Sequence, residues 1–138
     1  MNDSIITPDW IERFSKRNIE SGGTMAAWSR FGRFRYPNYR DKWYRSLRFL
    51  FPYCQRQKVR RKVEIIRIIP PRGRAFDHEN FTFGCKPIFD HLKHNGWIWD
   101  DSPIWIDREY HQVKLAECQE NDPRAESGTV IRVYRGEG

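Results

Sequence analysis

A run of acidic residues in the second half of the chain is the group of side chains best suited to chemistry. Between positions 77 and 101 the sequence places five carboxylates, together with the amide of Asn80 and the ammonium of Lys86. So many carboxylates in a chain of net charge +7 need protons or a metal ion to neutralise them. Carboxylate and amide oxygens are ligands of hard divalent cations, and such a cation in a basic protein indicates phosphodiester hydrolysis.

The spacing within this run predicts which side chains act together. Asp77 and Glu79 are two apart, so in extended backbone both would project to one face and bind one cation. Asn80 either holds the turn by hydrogen bonds or lends its carbonyl oxygen to the site. On a helix that begins near Lys86, Asp90 lies on the same face. This pair is either a surface salt bridge or, beside carboxylates, a lysine that steadies the negative charge of a phosphate.

Asp100 and Asp101 end the run, directly after the aromatic segment 97–99. We expect that segment to be a short strand. Since adjacent residues on a strand point in opposite directions, one of the two aspartates would face the metal.

The whole run resembles the RusA-like family of Holliday junction resolvases. It reads Asp-x-Glu-Asn from Asp77, then Lys-Pro-x-x-Asp-x-Leu from Lys86, then Gly-x-x-x-Asp-Asp-Ser from Gly96. The resemblance extends over about residues 62–115. It implies an α+β fold with a small mixed β-sheet flanked by helices, and a homodimer that cuts four-way DNA junctions with Mg²⁺, for which Mn²⁺ can substitute. Such proteins work in the cytoplasm of bacteria or of phage-infected cells.

The family's motif also implies roles for individual residues. Asp77, Glu79 and Asp101, with Asp100 beside them, would hold the metal, and Lys86 would stabilise the charge of the pentacovalent phosphate. Asp90 would orient that lysine, and Asn80 would support the metal ligands. This chain departs from the motif at Glu79, where the family has aspartate, and over residues 1–35, which match poorly.

Charge is distributed unevenly along the chain. Residues 1–75 contain 18 Lys and Arg against 6 Asp and Glu, whereas residues 76–138 contain 7 against 12. A basic half is typical of proteins that bind nucleic-acid phosphates, although a solvated basic surface has the same composition. We expect six arginines to contact DNA: Arg40, Arg45, Arg60, Arg61, Arg72 and Arg74.

Local patterns predict the elements of one domain that spans residues 1–138. Residues 10–14 suggest a short helix, and Asn38 with Asp41 suggests the capped start of a helix that ends at Phe51. Residues 56–62 indicate a basic linker or short helix, residues 63–69 a strand, and residues 86–95 a helix ended by Gly96. Residues 104–115 and 129–134 indicate strands joined by a polar loop over 117–128. Residues 21–24 suggest a turn, and residues 30–36 suggest either a surface for a nucleic-acid strand or an amphipathic β segment.

Other classes of protein are disfavoured by the sequence. No apolar run is long enough to span a membrane, and residues 1–10 do not resemble a signal peptide, so we expect an intracellular protein. The three cysteines indicate reduced thiols. Zinc binding by Cys85, His91, His94 and Cys118 lacks the usual ligand spacing. The main alternative is a non-catalytic protein that binds branched DNA and retains the fold.

Overall fold

The computed structural model describes residues 6, 8–20 and 35–136. These residues form strands and helices in one α+β arrangement, which confirms the expected fold class. The elements in chain order are β1 (Trp10–Ser15), α1 (Arg35–Leu50), β2 (Arg61–Ile69), α2 (His78–Gly84), α3 (Lys86–His94), β3 (Ile106–Lys114), α4 (Leu115–Asn121) and β4 (Gly128–Tyr134).

The four strands form one mixed sheet in the order β1-β4-β2-β3. β4 is antiparallel to both of its neighbours, whereas β2 and β3 are parallel. A parallel pair requires a long connection between the two strands. Here residues 70–105 make that connection, and they contain α2, α3 and every acidic residue of the predicted site.

The core lies between one face of the sheet and the helices. Apolar side chains at every fourth position of α1 are buried, as their spacing predicts: Tyr39, Trp43 and Leu47. They pack in one cluster with Ile88 and Leu92 of α3 and with alternate residues of β2 and β4. Each such side chain contributes roughly 1.5–3 kcal/mol when it is fully buried. This packing fixes α3, and therefore Lys86 and Asp90, against the sheet.

The N-terminal part of the described chain differs from the sequence prediction. Residues 10–14 do not form a helix but belong to β1, which pairs with β4 from Trp10↔Tyr134 to Ser15↔Thr129. A helix this short is unstable alone, whereas an antiparallel neighbour satisfies the backbone. α1 begins at Arg35, so Asn38 lies inside the helix and is not its N-cap. Pro37 permits this earlier start because proline is tolerated in the first turn.

Two later segments were also predicted wrongly. Residues 97–99 form a bend and not a strand, because Trp97 is drawn into the core. Its indole Nε1 donates to the carbonyl oxygen of Pro52 at 2.7 Å, and the centre of its ring lies 5.1 Å from that of the Phe51 ring.

The predicted loop over 117–128 begins inside α4. Residues 56–59 are a linker without regular structure, one of the two alternatives, and Arg61 already belongs to β2. The predicted turn over 21–24 and residues 30–34 lie outside the described residues.

The end of α3 follows the prediction closely. Asn95 caps the helix, and Gly96 has a φ of +88°. A Cβ at Gly96 would overlap the carbonyl oxygen of Cys54. The backbone N–H of Cys54 donates to the carbonyl oxygen of Asn95 at 2.9 Å, so this glycine lets the two segments touch.

Candidate functional site

Asp77 is the residue at which the acidic run enters its first helix. It is the N-cap of α2, with φ −64° and ψ 160°. Its carboxylate accepts the backbone N–H and the side-chain amide of Asn80, both at 2.9 Å. Asn80 therefore holds the turn, one of its two predicted roles. The expectation that Asp77 and Glu79 share one face of an extended segment is wrong, because Glu79 lies in the first turn of the helix.

The segment before Asp77 is held by two side chains that the sequence analysis did not select. The amide of Gln112 accepts from the backbone N–H of Phe76 at 2.9 Å and donates to its carbonyl oxygen at 2.8 Å. Arg67, only 3% exposed, donates to Gln112 at 2.9 Å and to the carbonyl oxygen of Arg74 at 2.8 Å. Its guanidinium carbon also lies 3.6 Å from the centre of the Phe76 ring. A charged residue inside the apolar run of β2 was the signal that could have identified this support.

A cleft of about 400 Å³ lies between α2, α3 and β3. Three predicted site residues line it, together with polar and aromatic neighbours. The lining residues are Glu79, Asn80, Thr82, Phe83, Lys86, Phe89, Arg108 and Tyr110.

Tyr110 is an aromatic contact point for both helices beside this cleft. Its ring meets those of Phe81 at 5.7 Å, Phe89 at 6.1 Å and His78 at 5.8 Å. Burial raises the pKa of Tyr110 to about 12. The phenol therefore stays protonated at neutral pH, so it can donate a hydrogen bond but cannot act as a base.

The charged groups of the cleft differ in how they are paired. The ammonium of Lys86 lies 3.0 Å from a carboxylate oxygen of Asp90, which confirms that they share a helix face. Arg108 places its guanidinium carbon 4.7 Å from the centre of the Phe89 ring. Glu79 is exposed, and its carboxylate has no hydrogen bond or ion pair with any described residue. The lining of the cleft thus contains one uncommitted carboxylate and two cations.

Asp101 borders the cleft through its backbone, and Asp100 directly precedes it. Arg108 donates to the backbone carbonyl oxygen of Asp101. The ammonium of Lys93 lies 3.0 Å from a carboxylate oxygen of Asp100 and 3.9 Å from one of Asp101. The hydrogen bond from Lys93 lowers the pKa of Asp100. Both carboxylates therefore face Lys93, which was not among the predicted site residues.

The carboxylates predicted to bind metal are not grouped tightly in this structure. Among the described residues, one set of three His, Cys, Asp or Glu side chains has its ligand atoms within 4.8 Å of one another. That set consists of Glu64, Glu109 and His111 and does not include Asp77, Glu79 or Asp101. It lies on the face of the sheet opposite the core, which was not predicted.

Cationic and hydroxyl groups already satisfy the acids of that set. Glu64 accepts from Arg132 at 3.2 Å and from the Tyr134 hydroxyl at 2.9 Å. Although partial burial acts to raise it, these hydrogen bonds bring the pKa of Glu64 below its ordinary value. Its second oxygen lies 3.1 Å from Nε2 of His111, and Glu109 pairs with Lys62 at 3.0 Å. We interpret the set as an ion-pair network that holds β2, β3 and β4 together.

The arginines predicted to contact DNA fall into two groups. Arg45, Arg72 and Arg74 are exposed, and Arg40, half-buried, pairs with Asp41 at 3.4 Å. The other two are used within the protein. Arg60 pairs with both oxygens of Asp107 at 2.7 Å. Arg61 is buried and donates to backbone carbonyls of 134 and 135, so its guanidinium does not reach a surface where phosphate would lie.

Two of the other sequence-based predictions can be compared with the structure. The three cysteines are free thiols, as expected. No helix in the described ranges is both long and apolar enough to cross a bilayer.

Comparison with models of known protein families gives no match, and comparison with curated protein sequences gives none either.

Proposed function

We propose that this chain is a Mg²⁺-dependent endodeoxyribonuclease that resolves four-way DNA junctions. The observation that carries the proposal is the cleft in which Glu79 and Asn80 of α2 face Lys86 of α3 and Arg108 of β3, with Asp101 at its border. An acid, an amide and two cations around one concave site suit a phosphodiester. The motif over 77–102 adds the resemblance to junction resolvases.

The donor chemistry fits the ion that the resemblance implies. Asp77, Glu79 and Asp101, with Asp100 beside them, offer only oxygen ligands, which hard cations such as Mg²⁺ and Mn²⁺ prefer. Asp77 would exchange its hydrogen bond from the Asn80 amide for the ion. When bound, the ion would activate water and neutralise charge on the phosphate.

Two cationic residues of the cleft, Lys86 and Arg108, would contact the phosphate directly. Lys86, steadied by Asp90 at 3.0 Å, would donate to a non-bridging phosphate oxygen as negative charge develops there. Arg108, held over the Phe89 ring, supplies a second cation. A homodimer would present two such clefts to a two-fold junction, which permits paired cuts.

A second candidate is a protein that binds branched DNA without cutting it. The observation in its favour is that the acids have structural explanations that need no metal. Asp77 caps a helix, and Asp100 pairs with Lys93. Because Asp77 and Glu79 are exposed, they carry little of the desolvation cost that would make a bound cation necessary.

Incubation of the protein with a synthetic four-way junction and Mg²⁺ tests the first candidate against the second. We expect paired nicks that disappear in Asp101→Asn, which removes a proposed metal ligand, and that fall about 100-fold in Lys86→Met, which removes a cation from the cleft. Asp41→Asn is the matched control, because Asp41 lies on α1 and pairs only with Arg40 among the described residues. Junction binding without nicks in Mg²⁺ or Mn²⁺ would establish the second candidate. Equal cutting of linear duplex would identify a general nuclease.

A further inference from the structure

Two tryptophans and two cations form an aromatic surface beyond the border of the cleft. The rings of Trp99 and Trp105 lie 6.1 Å apart. The guanidinium carbon of Arg56 lies 5.1 Å from the centre of the Trp99 ring. The ammonium of Lys58 lies 5.8 Å from the Trp99 ring and 5.9 Å from the Trp105 ring. Both rings are half-buried, whereas both cations are exposed. We call these four residues the tryptophan surface.

Hydrogen bonds to the backbone hold this surface in place. Arg56 donates to the carbonyl oxygen of Trp99 at 3.2 Å, and the backbone N–H of Arg61 donates to that of Trp105 at 3.0 Å. Arg60 donates to the carbonyl oxygen of Ile104 at 3.2 Å and also donates to the carboxylate of Asp107. The loop that carries both tryptophans is thus attached to the linker that carries both cations. A ligand would meet rings already in position and would pay little entropy to order them.

A cationic hollow adjoins the tryptophan surface and shares Arg56 with it. This hollow has a volume of about 330 Å³ and is lined by Tyr53, Cys54, Arg56, Lys93, His94 and Gly96. Lys93 also faces Asp100 and Asp101, so its charge is partly offset. The hydroxyl of Tyr53, the guanidinium of Arg56 and the imidazole of His94 are groups that hydrogen-bond a phosphate.

We propose that the tryptophan surface binds single-stranded DNA, with bases on the faces of Trp99 and Trp105 and backbone phosphates against Lys58 and the cationic hollow. Aromatic faces flanked by cations recognise unpaired bases without sequence preference, because every base has a π-face. In an intact duplex the π-faces of the bases are covered by neighbouring bases and cannot stack on the tryptophans.

The position of the surface connects it to the cleft. Trp99 immediately precedes Asp100 and Asp101, and Arg108 joins Asp101 to the cleft. A strand bound here would therefore run along the border of the cleft. This binding depends on its own contacts and does not require that the cleft be catalytic.

Fluorescence anisotropy of a labelled oligothymidylate of about 12 nucleotides, with the full chain, tests the proposal. We expect Trp99→Leu and Trp105→Leu each to weaken binding about tenfold, since each removes one stacking face. Lys58→Gln should weaken it several-fold without risk to the fold, because Lys58 is exposed and makes no hydrogen bond within the described ranges. Circular dichroism establishes that each variant is folded.

Lys16→Gln is the matched control, because Lys16 is 83% exposed and pairs only weakly, at 3.7 Å, with Glu126. Absence of binding by the unmodified chain would overturn the proposal. Equal losses in Lys16→Gln and Lys58→Gln would do the same, since charge alone would explain them. Blunt duplex bound as tightly as the single strand, with the same losses in the tryptophan variants, would contradict recognition of unpaired bases.

Glu79→Gln separates this inference from the proposed function. Glu79 lies in the cleft and outside the tryptophan surface, so its variant should bind oligothymidylate as tightly as the unmodified chain. A chain that binds the oligonucleotide but never nicks a junction would contradict the nuclease and support the tryptophan surface.

Discussion

Asp77 shows how one carboxylate can have a structural and a chemical explanation at once. Its two oxygens accept hydrogen bonds from the backbone N–H and from the side-chain amide of Asn80, and this pair of bonds caps the start of α2. The same side chain is the first acid of the motif that resembles the resolvases. These two roles respond differently to substitution, because asparagine caps a helix as well as aspartate does but carries no charge.

We therefore expect Asp77→Asn and Asp77→Ala to differ in stability but not in activity. Asp77→Asn should change the free energy of unfolding by less than about 0.5 kcal/mol, whereas Asp77→Ala should lower it by about 1 kcal/mol. Both should abolish junction nicking if the carboxylate holds a metal. Urea denaturation and the nicking assay measure the two effects. Full nicking by Asp77→Asn would leave Asp77 with its capping role alone.

Gln112 offers a second test at the level of one residue. Its amide makes three hydrogen bonds, two with the backbone of Phe76, which directly precedes Asp77, and one with the guanidinium of Arg67. We expect Gln112→Leu to lower the free energy of unfolding by roughly 1–3 kcal/mol, since it leaves buried partners without hydrogen bonds. Urea denaturation measures the loss, and Gln55→Leu, at an exposed position just before the linker, is the control. A change no larger than that of the control would refute this support.

At the scale of elements, the contact between α1 and α3 depends on His91. Its Nε2 lies 3.0 Å from the carbonyl oxygen of Phe51, just after the end of α1, and Asn95 donates to the same oxygen at 3.0 Å. The side chain is 6% exposed, and burial lowers its pKa from 6.5. The folded protein therefore holds His91 neutral.

This histidine should make stability sensitive to acid. Because its pKa is lower when folded than when unfolded, the unfolded chain takes up the proton first as the pH falls through 6.5. The free energy of unfolding should thus decrease between about pH 7.5 and about pH 5.5, above the range where carboxylates titrate. Urea midpoints measure the decrease, which should be smaller in His91→Gln. Equal slopes in both proteins would contradict the prediction.

The turn after α3 depends on a glycine. Gly96→Ala would combine a φ of +88° with an overlap between the new Cβ and the carbonyl oxygen of Cys54. We expect a loss of roughly 2 kcal/mol or more in the free energy of unfolding, measured in urea. Ser102→Ala, in a loop of the same connection, should lose much less. An unchanged midpoint in Gly96→Ala would show that the backbone at Cys54 can move away from the new Cβ.

Sequence patterns predicted elements where one physical signal dominated. The run Val63–Ile69 is β-branched and buried, and Pro87 and Gly96 bracket α3, so both elements were identified. β1 was mistaken for a helix because its strand character comes from β4, more than 100 positions away. Three residues that line the cleft, Glu79, Asn80 and Lys86, were selected from the sequence because they share one motif. Arg108 in the cleft and Gln112 beside Phe76 were missed because the pairing of β2 with β3 sets their positions.

For the whole molecule, the charge distribution predicts how DNA binding responds to salt. Arg72 and Arg74 are exposed next to the acidic run, in a chain of net charge +7. Each phosphate contact adds about 0.9 to the slope of log affinity against log salt. We expect the double variant Arg72→Gln, Arg74→Gln to lower that slope for a four-way junction by about 2. The pair Arg13→Gln, Lys16→Gln removes equal charge from the region of β1 and should change it little. Equal changes of the slope in the two double variants would mean that the overall positive charge attracts DNA and that Arg72 and Arg74 make no specific phosphate contacts.

The central position of β4 has a consequence for the synthesis of the protein. β4, the last of the described strands, lies between β1 and β2, so each of its long edges pairs with a strand made much earlier. While β4 is still inside the ribosome, β1 lacks its one partner strand among the described residues, and the described sheet has a gap at its centre. The domain therefore cannot fold progressively as it emerges. A stop codon before residue 128 would remove a central strand of the sheet, and the truncated product would be a substrate for chaperones and proteases.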